Sequence, residues 1–312
     1  MQPNFSKDVL SSMMTFAQTN TEHVEQGVNK HVYPDIQYPQ LIPVDTSAHE
    51  FATSITYYSE DHYGKADWIN GNSDDIPIAS TERAKHQTGI HMAGVGYAWG
   101  YEEIGQAMLA GRNLPSEDAM AARRAYEEFV DRVAMYGDAD KGFVGLVNHD
   151  ATVTPVTANN GNWSNLNTTA DQMIDDVNQA LLGIGVTTGF TSMADTLLIS
   201  PEDMTYLGSR RVDGTSTTAY EYLVKNNVYT MTTGQPLTIR TVRGLETAGA
   251  GGVRRMVAYR YDPTVLKLHI PMPHRFLPVY QNGPLNWSVP GIFRIGGLDI
   301  RRPGEIRYVD GL

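Results

Sequence analysis

Histidine is the side chain most suited to proton transfer near neutral pH and is the commonest metal ligand, and this chain has nine of them, none clustered. His86 and His91 lie five apart on an extended stretch, which points them to opposite faces. His269 and His274 are also five apart, with Pro271 and Pro273 between them. Neither pair has the spacing of a metal-ligand set. The adjacent carboxylates Glu102-Glu103 and Asp175-Asp176 diverge by about 100° on a helix and make no acid–base pair. Gly94-Val95-Gly96-Tyr97-Ala98-Trp99-Gly100 is similar to a nucleotide-binding loop but has one residue too many before its third glycine. It also carries Tyr and Trp where phosphate needs bare backbone. Gly249-Ala250-Gly251-Gly252 precedes a strand, so no helix dipole aims at an anion there. No serine sits in a nucleophile-elbow motif, and cysteine is absent, which removes disulfides, thiolate metal sites and a thiol nucleophile. These residues predict no active site, no metal and no cofactor.

Composition narrows the function classes further. With 24 Lys+Arg against 35 Asp+Glu, the net charge is −11, and the basic residues are scattered as pairs such as Arg210-Arg211, Arg254-Arg255 and Arg301-Arg302. Duplex recognition needs a basic stripe that displaces counterions, so sequence-specific nucleic-acid binding is not expected, although proximity to nucleic acid is compatible. A hydrophobic content of 41% with 19% charged residues describes a folded globular chain. No apolar run reaches the roughly 18–20 residues of a membrane span, and the N-terminus lacks a signal-peptide pattern. A soluble protein used without export is expected.

The elements are legible from periodicity. The stretch that starts at Pro115-Ser116 and stops at Gly137 reads as one long amphipathic helix, with Met120, Tyr126, Phe129, Val130, Val133 and Tyr136 expected on a core-facing stripe. Arg124, Glu128 and Arg132 are spaced for ion pairs on another side. Pro115, Ser116, Glu117 and Asp118 signal its start and Gly137 its end. Residues 1–48 are polar with scattered apolar anchors, and Pro34, Pro39 and Pro43 predict an extended arm rather than a packed element. Residues 49–89 read as a long hairpin, strand-like over Glu50–Tyr58 and Glu82–His91, with turn residues between. Tyr57, Tyr58, Tyr63 and Trp68 lie on or near it, and a two-stranded ribbon cannot bury four aromatics by itself. It is either a flap packed on its own domain or a loop that needs a partner.

Residues 150–264 alternate helices and strands: a helix opening at Asn167–Asp171, a strand over Thr196–Ser200, a helix from Pro201, a helical stretch over Thr218–Asn226, and strands over Leu237–Val242 and Met256–Tyr261. Residues 265–312 are strand-rich: Leu266–Ile270, Phe276–Tyr280, Ile292–Ile300 and Glu305–Val309. There is no internal repeat.

That order resembles the major capsid protein of tailed bacteriophages, in the Hong Kong phage capsid fold shared with encapsulin shells. Val95-Gly96-Tyr97-Ala98-Trp99-Gly100-Tyr101-Glu102-Glu103 is similar to the exit strand of the family's extended E-loop. Ala121–Gly137 with Gly142-Phe143-Val144-Gly145-Leu146-Val147-Asn148 is similar to the spine helix and the segment after it. Ile300-Arg301-Arg302-Pro303-Gly304-Glu305-Ile306 is similar to the closing Arg-Pro strand. The resemblance implies an α+β fold with an N-terminal arm (1–48), an E-loop (49–89), a P-domain with the spine helix (90–149), an α/β A-domain (150–264) and return strands (265–312).

What the resemblance implies about function is a structural subunit. It would self-assemble into hexamers and pentamers of an icosahedral shell that encloses a phage genome without sequence-specific DNA binding. The expected place is the virion capsid, assembled in the host cytoplasm, with no membrane. An encapsulin-type compartment is the alternative, and an α/β enzyme with an unrecognised site a third. Expected partners are further copies of the chain, a separate scaffolding protein or none (the arm beginning at Met1 is of ordinary length), a portal and decoration proteins. Some family members crosslink a loop Lys to a neighbour's Asn. Lys65 lies near the hairpin tip, but no Asn and Glu partners are identifiable, and an exposed solvated Lys is expected. The candidate assembly-interface residues are Phe5, Phe16, Tyr57, Tyr58, Tyr63, Lys65 and Trp68.

Overall fold

The computed structural model describes residues 35–68, 78–110 and 114–312. Its axis is the helix Leu114–Tyr136. Tyr126, Val130 and Val133 are buried along it, with Ala122, Ala134 and Met135, while Phe129 packs at the margin of the same core. Met120 does not belong to that stripe and is 56% exposed. At about 100° per residue it lies roughly 120° around the helix from Tyr126, so its three- and four-residue relation to the others breaks down. Tyr136 also leaves the core, and its hydroxyl donates to the Arg243 carbonyl (2.9 Å). Arg124 pairs with Glu128 (2.8 Å), whereas Arg132 stacks over the Phe129 ring instead. Gly137, at φ 74°, ends the helix in the left-handed conformation that favours glycine.

A five-stranded sheet lies between two cores. Its order is Thr238–Thr241, Thr196–Ile199, Arg255–Tyr259, Ile306–Asp310 and Val156–Thr157, with the outer pairings parallel and the inner ones antiparallel. Side chains alternate across it. Leu198, Val257, Tyr259, Ile306 and Tyr308 join the core beneath the long helix. Leu197, Ile199, Met256, Ala258 and Val309 face the second core, built on the helix Ala170–Thr187. Burial on both faces explains why these strands read as near-continuous apolar runs. Each helix on this side starts where a cap dictates. Thr169 and Gln172 form a reciprocal capping box, and Ser200, Thr218 and Asn227 cap the helices Pro201–Ser209, Ala219–Lys225 and Val228–Thr233.

Residues 36–45 depart from the expected extended arm. Tyr38–Leu41 is a helical turn, and Tyr38, Leu41 and Ile42 are buried. Asp131 of the long helix accepts from the backbone amides of Gln37 (3.0 Å) and Tyr38 (2.8 Å), acting as a cap supplied from elsewhere in the chain. Pro39 sits in the first turn, where its missing N–H costs nothing. Val44–Asp45 then pairs in parallel with Leu266–His269, which pairs with Leu298–Ile300.

The late strands differ from expectation in two places. The run Ile292–Ile300 divides at Gly296-Gly297 into Gly291–Ile295 and Leu298–Ile300, and the halves join different sheets. The strand expected at Phe276–Tyr280 lies earlier, at Met272–Phe276. Gly291–Ile295 is central in a sheet with Met272–Phe276 and His91–Gly94. Tyr97–Gly100 pairs with Asn286–Val289, and that strand with Tyr280–Gln281. The glycines at 94 and 96 serve this packing, since a Cβ on Gly96 would overlap the Val289 carbonyl oxygen. The helix Tyr101–Ala110 follows.

Candidate assembly surfaces

The residues with chemical potential are spent on structure. His86 meets the Ser59 hydroxyl (3.0 Å), His91 packs edge-on to Phe143, and His274 contacts the Val95 carbonyl (3.0 Å) while stacking on Tyr126. His269 is buried between the carboxylates of Asp45 (3.5 Å) and Asp299 (3.6 Å). Asp176 is also buried and accepts from Trp163 Nε1 (3.0 Å) and from the Asn160 backbone (3.1 Å). In the other adjacent pair, Glu102 and Glu103 are both exposed. Among the described residues no group of three His, Cys, Asp or Glu could hold a metal ion. Nor is any helix among them long and apolar enough to cross a membrane.

One polar centre escaped notice in the sequence. Arg255, fully buried, makes a bidentate pair with Asp310 (2.7 and 2.9 Å) and also reaches Asp150 and the Val147 carbonyl. It lies over the Tyr308 ring, whose hydroxyl donates to the Leu146 carbonyl. Burial alone would favour loss of the guanidinium charge, but the hydrogen bonds to Asp310 and Asp150 outweigh it and hold the group further into its charged form. This centre ties the end of the long-helix segment to the last strand. An Arg beginning the apolar run Met256-Val257-Ala258-Tyr259 was the available signal.

The largest element without a core of its own is the ribbon formed by Ser54–Tyr63 and Ser80–Gly89, paired over ten residues from Ser54↔Gly89 to Tyr63↔Ser80. Its base is anchored. Tyr57 stacks on His86 (4.8 Å), and Arg301 lies over the Tyr57 ring (4.6 Å). Burial, with the Asp299 charge nearby, pushes the Tyr57 phenol up. A cleft of about 730 Å³ opens at this junction, lined by Tyr57, His86, Lys141, Phe143 and Arg301 among others.

Beyond Tyr57 the ribbon runs into solvent. Of the residues singled out from sequence, Tyr57 is half-buried at home, whereas Tyr58 is 66%, Tyr63 53% and Trp68 99% exposed. Lys65 is exposed as well. Phe5 and Phe16 lie outside the described residues. A ribbon of two strands has no interior, and Tyr58, Tyr63 and Trp68 are left exposed among the described residues.

Residues 64–312 match the family model described as Major capsid protein. The fold is also shared with solved structures. The capsid of Myoviridae phage XM1 aligns over 94% of this chain and 98% of its own, with TM-score 0.78 at 20% identity. A Mycobacterium phage Bobi chain aligns over 99% of both, with TM-score 0.59 at 12% identity. The capsid of the native GTA particle aligns over 93% and 94%, with TM-score 0.62 at 9% identity. No curated protein sequence matches the chain. The apolar stripe of the long helix, the two-core sheet and the projecting ribbon are thus the parts of a known architecture, and the chain belongs to the major capsid protein family, as a structural subunit that assembles with copies of itself into an icosahedral capsid.

Proposed function

We propose that this subunit forms hexamers and pentamers of a shell that encloses a phage genome, and that its ribbon is the interlocking element between neighbours. In this reading residues 1–48 are the arm, 49–89 the E-loop, 90–149 the P-domain with its spine helix, 150–264 the A-domain and 265–312 the return strands. One observation carries the interlocking role: of the ten residue pairs of the ribbon, those from Tyr58↔Lys85 to Tyr63↔Ser80 lie beyond Tyr57 and are exposed, with Trp68 wholly exposed near the far end. Tyr58, Tyr63, Lys65 and Trp68 are the proposed contacts there, with Phe5 and Phe16 on the arm. Ring contacts are head-to-tail, so the surface that projects and the surface that receives differ on each subunit, and closure makes the assembly finite.

A scaffolding protein, a portal and decoration proteins are the proposed partners, with assembly in the host cytoplasm. The net charge of −11 favours a shell that encloses DNA without gripping its sequence. The test is electron microscopy and sedimentation of the purified chain, beside a variant in which residues 59–84 are replaced by a short turn. Closed uniform shells from the wild type and dispersed, folded subunits from the variant support the reading. A stable 34.5 kDa monomer at high concentration from the wild type, or normal shells from the shortened chain, overturns it.

A further inference from the structure

The two faces of the ribbon are chemically unlike, and the difference identifies which of them calls for a basic surface on a neighbour. Residues directly opposite in an antiparallel pair share a face. On one face lie Tyr58↔Lys85, Glu60↔Arg83 and His62↔Thr81. Here Arg83 pairs with Glu60 (2.6 Å) and His62 meets Thr81 (3.1 Å), so these carboxylate and imidazole groups are matched at home, while Tyr58 stays exposed. On the other lie Tyr57↔His86, Ser59↔Ala84, Asp61↔Glu82 and Tyr63↔Ser80. Its base is the side covered by Arg301, and past Tyr57 it is exposed, with small residues at 59 and 84.

Asp61 and Glu82 then stand directly across from one another, a like-charge arrangement that opposes pairing. Neither has a cationic partner among the described residues. The Tyr63 hydroxyl beside them is held above the usual phenol range by its contact with Asp61, so all three groups converge. An unsupported ribbon that places two carboxylates in apposition, below an exposed tyrosine, is shaped for a basic and apolar surface.

One such surface lies on the long helix. Met120 and Arg123 are three residues apart and share a side, Met120 is 56% exposed and Arg123 is exposed. Arg124 next to it is already engaged with Glu128, whereas Arg123 has no carboxylate within ion-pair distance among the described residues. We propose that the Asp61–Glu82 face of the ribbon seats on the Met120–Arg123 surface of a second copy of this chain, with Tyr63 against Met120 and the two carboxylates about the Arg123 guanidinium. This rests on the interlocking reading above and adds to it the face, the register of contact and the charge that specify the neighbour. Complementary charges across such a seat also reject wrong registers, in which carboxylates would meet Glu117 or Glu128.

A charge exchange tests it. Asp61→Arg with Glu82→Arg, and separately Arg123→Glu, should each raise the concentration needed for shell formation by about tenfold or more while the dispersed subunits melt as the wild type does. The chain carrying all three changes should recover assembly to within about threefold of wild type, since each interface then presents reversed but matched charges. Normal assembly of the ribbon double variant overturns the proposal, as does a triple variant no better than either parent. Failure of Arg123→Glu without rescue by the ribbon changes means that another segment covers that helix surface, and also overturns it. If replacing residues 59–84 blocks assembly but these charge changes do not, the interlocking ribbon stands and only this seat falls.

Discussion

Trp68→Ala and Phe293→Ala should separate assembly from folding. Trp68 is 99% exposed, so its truncation removes no contact from the subunit, and the stability change should stay within about 0.5 kcal/mol. Seated in a neighbour, an indole would bury roughly 200 Å², an upper value near 5 kcal/mol at about 25 cal/mol/Å². Ordering and desolvation reduce that, and aromatic anchors at interfaces cost about 2 kcal/mol or more when truncated. Two kcal/mol corresponds to about a 30-fold rise in the threshold concentration for assembly. Phe293 is 2% exposed and lies 4.8 Å from the Tyr126 ring and 5.5 Å from Phe129. Its loss should leave a cavity costing about 3–5 kcal/mol in the subunit itself. The assay is urea unfolding of dispersed subunits, paired with the onset of light scattering as concentration rises. If Trp68→Ala lowered subunit stability as Phe293→Ala does, the ribbon would be packed at home. An unchanged assembly threshold would remove Trp68 from the interface.

Three further outcomes follow from the buried polar groups. Arg255→Met strands Asp310 beside an apolar side chain and should cost about 3–5 kcal/mol in urea unfolding, with much of the loss recovered when Asp310→Leu is added. Burial works to raise the Asp45 pKa, but hydrogen bonds from Ser47 and Lys267 outweigh it and hold the carboxyl well below the usual range. A depressed acid contributes stability above its unfolded pKa near 4, lost as pH falls toward the folded value, so Asp45→Asn should flatten the acid limb of a stability–pH curve below about pH 4. Burial pushes the Tyr126 phenol up to about 12. Its contribution is intact below about pH 10 and is lost as pH rises through the folded value, so Tyr126→Phe should lessen alkaline destabilisation above about pH 10. An alkaline limb identical to wild type would refute that assignment.

Local chemistry was legible in the residues themselves. The long helix, its stop at Gly137, the helix opening at Asn167–Asp171 and the ribbon all follow from short-range rules, because periodicity, caps and turn residues act within a few positions. Even there, Met120 was misplaced, since a pattern of steps ignores the angular drift that accumulates along a helix. The order of elements was enough to resemble a shell subunit, and the family comparison agrees with that.

Only the tertiary structure decided where distant segments meet. Tyr38 and Leu41 looked like part of a loose arm until Asp131, about ninety residues away, capped their turn. Ile292–Ile300 looked like one strand until its halves were claimed by different sheets. Arg255 was only one of a scattered basic pair, yet it is buried, and Asp150 and Asp310 compensate that burial from 105 and 55 residues away. The two faces of the ribbon could not be told apart until the register set Asp61 opposite Glu82 rather than one position aside. A one-residue slip exchanges every side chain between faces, and the sequence of a polar ribbon contains no hydrophobic alternation strong enough to select the register. That selection belongs to the base, where Tyr57, His86 and Arg301 lock together.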